Sequence, residues 1–133
     1  MVSVMVKKRA TPKPTESELE LLGNLWERGP LTVRELFEAV NQGRPVVYTG
    51  VLKLLQIMAE KGLVERDERE RAHLYRAAVS QADTESRFLR ELSEKFFAGS
   101  AAQLALRALQ IEKASEEELE AIRQLIEKKT LTK

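Results

Sequence analysis

The order of periodicities along the chain predicts a mainly α-helical fold with one small β wing: a winged helix–turn–helix followed by a C-terminal three-helix region. Three observations carry this. Apolar residues recur at three- and four-residue spacing in three successive stretches between Thr15 and Lys61. The pattern then switches to two short strand-like runs around a charged tip. Beyond Ser80, helical spacing returns and holds nearly to the end of the 133 residues.

Residues 1–14, MVSVMVKKRATPKP, carry Lys7, Lys8, Arg9 and Lys13 with two prolines and no period, and read as a flexible basic arm. Thr15 opens the first helix, because a hydroxyl at the N-cap with Glu18 three residues on makes a capping box. Leu19, Leu22 and Trp26 follow at helical spacing, with Leu21 and Leu25 on an adjoining stripe, until Arg28-Gly29-Pro30 stops the helix. Thr32 caps a second helix, with Val33, Leu36, Phe37 and Val40 on one face and Asn41-Gln42-Gly43 at its end. Arg44-Pro45 leads into a third helix whose inward face is expected to hold Val47, Val51, Leu54, Leu55 and Met58, closed by Gly62 at the C′ position. Leu63–Arg66 and His73–Ala77 are the two expected strands, with the polar stretch 67–72 as the tip between them. Three short amphipathic helices and a charged-tip hairpin, over residues 15–80, is the order of a winged helix–turn–helix.

Residues 81–133 read as a second, helical domain. A helix over 82–97 carries Phe88, Leu89, Leu92, Phe96 and Phe97, and Gly99 breaks it. An Ala/Leu-rich helix from Ala101 to Leu109 bears Leu104, Leu106 and Leu109. Ser115 to Glu118 form a further capping box, opening a helix with Leu119, Ile122, Leu125 and Ile126. Three helices this short cannot close a private core of useful size, and the cheapest cover for their apolar faces is an identical chain. The dimerisation residues expected are Phe88, Leu92, Phe96, Leu104, Leu109, Leu119, Ile122, Leu125 and Ile126; folding back on the winged helix within one chain is the alternative.

Composition removes several classes of function. Apolar residues make up 43% and charged residues 32%, which allows a core under a heavily charged surface and excludes collagen-like or wholly disordered chains. No apolar run approaches the roughly 18 residues a membrane span requires, and Met1 to Arg9 lacks a signal-peptide core. With no cysteine there is no disulfide and no thiolate chemistry. A soluble cytoplasmic protein is the expectation. His73 is the single histidine and no HxxxH or HExxH spacing occurs, so no metal site is expected. The six glycines are isolated, which excludes a phosphate loop, and the Glu-rich stretches at 16–20 and 116–120 stand at helix starts, where carboxylates complement the macrodipole. Neither a catalytic residue nor a cofactor is expected.

A net charge of +1 says little about nucleic acid. The chain has 13 Lys and Arg against 11 Asp and Glu up to Ser80, and 9 against 10 beyond it. A DNA reading must therefore come from where the cations sit. On the third helix, Tyr48, Thr49, Leu52, Lys53 and Gln56 fall opposite the apolar face, and Gly50 lies between the two faces, where it permits close approach to a groove wall. Gln bridges adenine N6 and N7, and Lys donates to guanine O6 and N7. Arg69, Arg71, His73 and Arg76 place cations on the wing, where a hairpin tip meets phosphate, and Arg44 stands just before the third helix. A double-stranded DNA operator is the partner this pattern fits. The rival is a protein–protein adaptor whose third helix docks another polypeptide, which the near-neutral charge favours.

The stretch Tyr48-Thr49-Gly50-Val51-Leu52-Lys53-Leu54-Leu55-Gln56, then Glu60-Lys61-Gly62-Leu63-Val64, resembles the recognition-helix motif of the penicillinase-repressor (BlaI/MecI) family. The likeness extends to Glu18–Trp26 and Leu31–Leu36 upstream, and to Phe97-Ala98-Gly99-Ser100 and Glu117-Glu118-Leu119 downstream, covering residues 15–129. The resemblance implies a homodimeric winged-helix repressor with an N-terminal DNA-binding domain, a C-terminal dimerisation domain and a palindromic operator, often upstream of resistance or stress genes. Family members often carry threonines at the positions of Gly50 and Lys53, so the base preference implied here differs. Members under proteolytic control are cut by a membrane-anchored sensor metalloprotease at an Asn-Phe bond, and the matching positions here are Arg107-Ala108. A copper-sensing branch relies on C-terminal cysteines, which this chain lacks.

Overall fold

A computed structural model describes residues 11–131, and the chain divides into two compact units, residues 1–85 and 86–133. The basic cluster of the expected arm, Lys7, Lys8 and Arg9, lies outside the described residues. Pro14 is already buried, so packed structure starts ahead of Thr15.

The first unit opens with helix α1, Glu16–Arg28. The Thr15 hydroxyl accepts from the Glu18 amide at 3.2 Å and the Glu18 carboxylate accepts from the Thr15 amide at 2.9 Å, which satisfies two orphan donors of the first turn. The buried stripe runs through Glu18, Leu21, Leu22 and Leu25. Trp26 is partly buried beside the core, and its indole donates to the Val79 carbonyl at 3.0 Å. Strand β1 is only Leu31–Thr32, and helix α2 follows directly as Val33–Gly43 with a second reciprocal box between Thr32 and Glu35. Helix α3, Tyr48–Lys61, ends at Gly62, whose φ of 85° and ψ of 15° fall in the left-handed region that glycine enters freely.

Strands β2, Val64–Asp67, and β3, Leu74–Ala77, form the hairpin. The three strands make an antiparallel sheet in the order β1-β3-β2, with Leu31 opposite Tyr75 and Glu65 opposite Arg76. The first strand is absent from the expectations above, because two residues show no alternation and only pairing with β3 defines them as a strand. Leu21, Leu22, Leu25, Leu31, Leu36, Val40, Val51, Leu55, Met58, Leu63, Val64 and Tyr75 form the core, drawn from every helix and strand of this unit up to β3. One inward residue is corrected. Val47, expected on the buried face of the third helix, is 69% exposed. It is the extended residue preceding α3, with φ of −106° and ψ of 136°, so it is not yet in helical register.

Helix α4, Gln81–Phe96, starts in the first unit and continues into the second. At its end the amides of Phe97 and Gly99 both donate to the Ser93 carbonyl, at 2.8 and 2.9 Å, with Ala98 and Gly99 at positive φ. Helix α5, Ala101–Ile111, is capped by Ser100, and helix α6, Glu116–Leu131, by the reciprocal Ser115–Glu118 box. Among the described residues of the second unit, no apolar side chain is fully buried.

Candidate nucleic-acid interface

Helix α3 is held at both ends by side chains from the other two helices. At its C-terminal end, Lys61 Nζ sits 2.7 Å from Glu18 Oε2, and Glu18 is only 1% exposed. Burial works against the ionised carboxylate, but the Lys61 ammonium and the Thr15 amide and hydroxyl outweigh it and hold the Glu18 carboxyl below the usual range. At its N-terminal end no side chain caps the helix. Aromatic packing positions that end instead: the Tyr48 ring meets Phe37 of α2 edge-on, with centroids 5.6 Å apart, and the Arg34 guanidinium lies over the Tyr48 ring at 5.1 Å.

Between these anchors, Thr49, Gly50, Lys53 and Gln56 are exposed, and Thr49, Lys53 and Gln56 follow one another at four- and three-residue spacing. The fold thus brings these four expected contacts onto one solvent-facing stripe. Leu52, expected on that face, is half-buried, and so is Tyr48, whose ring is committed to Phe37 and Arg34. A Cβ built on Gly50 would meet no atom within 4 Å among the described residues, so none of them demands glycine there.

The wing differs from the expectation of a cationic tip. Arg69 grips Asp67 through three side-chain bonds, Nε to Oδ1 at 3.0 Å and to Oδ2 at 3.2 Å, and Nη2 to Oδ2 at 2.7 Å, and its own amide donates to Oδ1 at 3.0 Å. Those bonds hold the Asp67 carboxyl at about 2, well below its ordinary 3.8. Arg76 pairs across the sheet with Glu65 at 3.2 Å, its partner in the strand register. Arg66 pairs with Glu68. Ahead of α3, Arg44 is bound to Glu20 of α1 at 2.5 Å. Arg71 and His73 remain exposed in the hairpin turn and enter no ion pair among the described residues. The alternation Glu65-Arg66-Asp67-Glu68-Arg69-Glu70-Arg71 was the visible sign that this hairpin balances its own charge.

The contact of Arg34 with the Tyr48 ring is the feature of this face that sequence reasoning missed. Its signal was weak: a cation in the first turn of a helix, where the macrodipole disfavours it. Among the described residues, no group of three or more His, Cys, Asp or Glu side chains is placed to hold a metal ion, and no helix is long and apolar enough to cross a membrane.

Comparison with known proteins adds sequence relatives to this geometry. A family model described as "Penicillinase repressor" matches residues 14–128. Two curated relatives, each named "Transcriptional regulator BlaI" and both from Mycobacterium tuberculosis (strains CDC 1551 / Oshkosh and ATCC 25618 / H37Rv), are 41% identical over 59 residues. That alignment spans 44% of this chain and 43% of theirs, so the chain covers less than half the length of these relatives. A solved structure described as a MarR family protein from Bacillus stearothermophilus aligns over 99% of this chain and 89% of its own, at 23% identity and a TM-score of 0.48.

Proposed function

This chain belongs to the penicillinase repressor family, a family of DNA-binding transcriptional regulators, and on that premise we propose that it is a homodimeric repressor acting in the cytoplasm on a palindromic operator of resistance or stress genes. The exposed stripe Thr49–Gly50–Lys53–Gln56 on α3 carries this reading. It offers donors and acceptors with reach to base edges on a helix secured at both ends. Arg71 and His73 on the wing supply backbone contact beside it. Arg44, whose pair with Glu20 is solvent-exposed, joins them by exchanging that carboxylate for phosphate, whereas Arg69 is held by an Asp67 side chain that is only 18% exposed.

The second unit supports the dimer. Leu92, Leu109, Leu125, Phe96 and Ile126 are all exposed, the last two at 72% and 58%, and Phe88, Leu104, Leu119 and Ile122 are only half-buried. Covering each large apolar side chain gains about 1.5–3 kcal/mol, and a two-fold related copy offers the matching face. Two recognition helices so joined meet half-sites whole turns apart, about 34–36 Å per turn. The Arg107–Ala108 pair, where the family's Asn-Phe bond would stand, is exposed but helical. Release by a membrane-anchored sensor metalloprotease therefore requires an enzyme with a different side-chain preference.

Selection from a randomised duplex pool, followed by titration across salt, tests the reading. An inverted repeat with whole-turn spacing, bound with an affinity that falls steeply as salt rises, is expected. Recovery of no preferred sequence, or binding indifferent to salt, would favour the adaptor reading that the self-paired wing charges suggest.

A further inference from the structure

We propose that Arg34, on the second helix, is a phosphodiester-binding residue of the DNA interface, held in place by the Tyr48 ring, and that it outweighs the carboxylate-paired wing arginines Arg66, Arg69 and Arg76 as an electrostatic anchor. The inference rests on the DNA-binding reading above and adds to it a residue outside the recognition helix and wing.

The argument starts from how the cations are engaged. Arg44, Lys61, Arg66, Arg69 and Arg76 each sit on a carboxylate. Arg34 sits on none within 4 Å among the described residues, although Glu38 stands four residues on, the spacing at which exposed helical pairs form. Helix electrostatics do not explain its position, since a cation in the first turn of α2 meets the positive end of the macrodipole. What Arg34 does contact is an aromatic face, with Cζ 5.1 Å from the Tyr48 centroid. Tyr48 is in turn fixed edge-on to Phe37. A guanidinium held over a ring still offers N–H donors to oxygen acceptors, and loses less rotamer freedom when it binds than an untethered arginine would. Tyr48 is also the first residue of α3, so the guanidinium over its ring stands beside the start of the recognition helix. A phosphate flanking a groove entered by that helix is the acceptor this placement fits. The same stacking makes Tyr48 a platform for Arg34 rather than a reader of bases.

The test uses the full chain and a short duplex of random sequence, with affinity measured by fluorescence anisotropy from about 50 to 200 mM salt. The parent protein is expected to bind with a marked salt slope. Arg34→Ala is expected to make the log–log slope shallower by about one unit, the loss of one phosphate contact. Arg69→Gln is expected to leave it nearly unchanged, because Asp67 already takes that charge. Tyr48→Leu is expected to weaken binding in the parent background and to add little in the Arg34→Ala background, with thermal melting confirming that each variant is folded. A parent protein without salt-linked binding overturns the DNA-binding reading and this inference with it. A parent that binds normally, with an unchanged slope in Arg34→Ala or an equal loss in Arg69→Gln, overturns this inference alone.

Discussion

Among the described residues, no neighbour needs a glycine at position 50. It lies in the first turn of α3, no atom comes within 4 Å of a notional Cβ, and its φ is not among the positive ones. In a helix, glycine is about 0.8–1 kcal/mol less favourable than alanine. Gly50→Ala is therefore expected to stabilise the first unit by up to about 1 kcal/mol in urea unfolding. If the bare backbone lets a groove wall approach, the same variant binds DNA more weakly, so stability and affinity move in opposite directions. A variant improved in both would show that position 50 does not face the groove. Lys53 on the same helix is exposed and without a carboxylate partner among the described residues. Lys53→Ala is expected to cost about 1–3 kcal/mol of operator affinity if the ammonium reaches a base, with sequence preference relaxed at one position. A folded variant with unchanged affinity and preference would remove Lys53 from the interface.

The hairpin is the element whose behaviour depends most on its own charges. Asp67 titrates at about 2 in the folded chain against an ordinary 3.8, with the Arg69 side chain as the main cause. A carboxyl whose pKa is lowered by folding contributes stability that is fully present above its unfolded value and is lost as pH falls through the folded one. The Asp67–Arg69 turn is thus expected to hold at neutral pH and to loosen between about pH 4 and 2, visible in hairpin amide shifts. Arg69→Gln should move that midpoint up toward the ordinary aspartate value. Asp67→Asn releases Arg69 and is expected to steepen the salt slope on random DNA by about one unit. How far sequence could see such elements depends on the range of the forces that make them. The boxes at Thr15 and Ser115 and the Gly62 turn were legible because each is settled within a few residues. Strand β1 was not, since Leu31 and Thr32 become a strand only by meeting Tyr75 and Leu74. The wing pairs needed the hairpin register, and the Arg34–Tyr48 stack needed the packing of α2 on α3. The stripe Thr49, Lys53, Gln56 needed neither, because its spacing alone defines a helical face.

The two units of the whole molecule differ in their cores. The first buries twelve apolar side chains, so a chain ending at Glu85 is expected to fold alone. The second buries none among the described residues. Removing it is expected to leave a monomer by sedimentation that binds a palindromic operator on the order of 10²-fold more weakly, through loss of linked half-sites. A full-length monomer, or a truncation that still dimerises, would assign the C-terminal helices another task. The wing's internal pairing also has a consequence on the scale of a cell. A chromosome offers about 10⁶–10⁹ competing non-specific sites, and occupancy of one operator depends on the preference ratio multiplied by that abundance. Arg66, Arg69 and Arg76 are already spent on Glu68, Asp67 and Glu65. On the proposed DNA-binding reading, each such arginine withholds sequence-blind attraction from operator and bulk DNA alike. The preference ratio is then left to the α3 stripe, and what the pairing changes is how quickly the protein lets go of any one stretch of DNA.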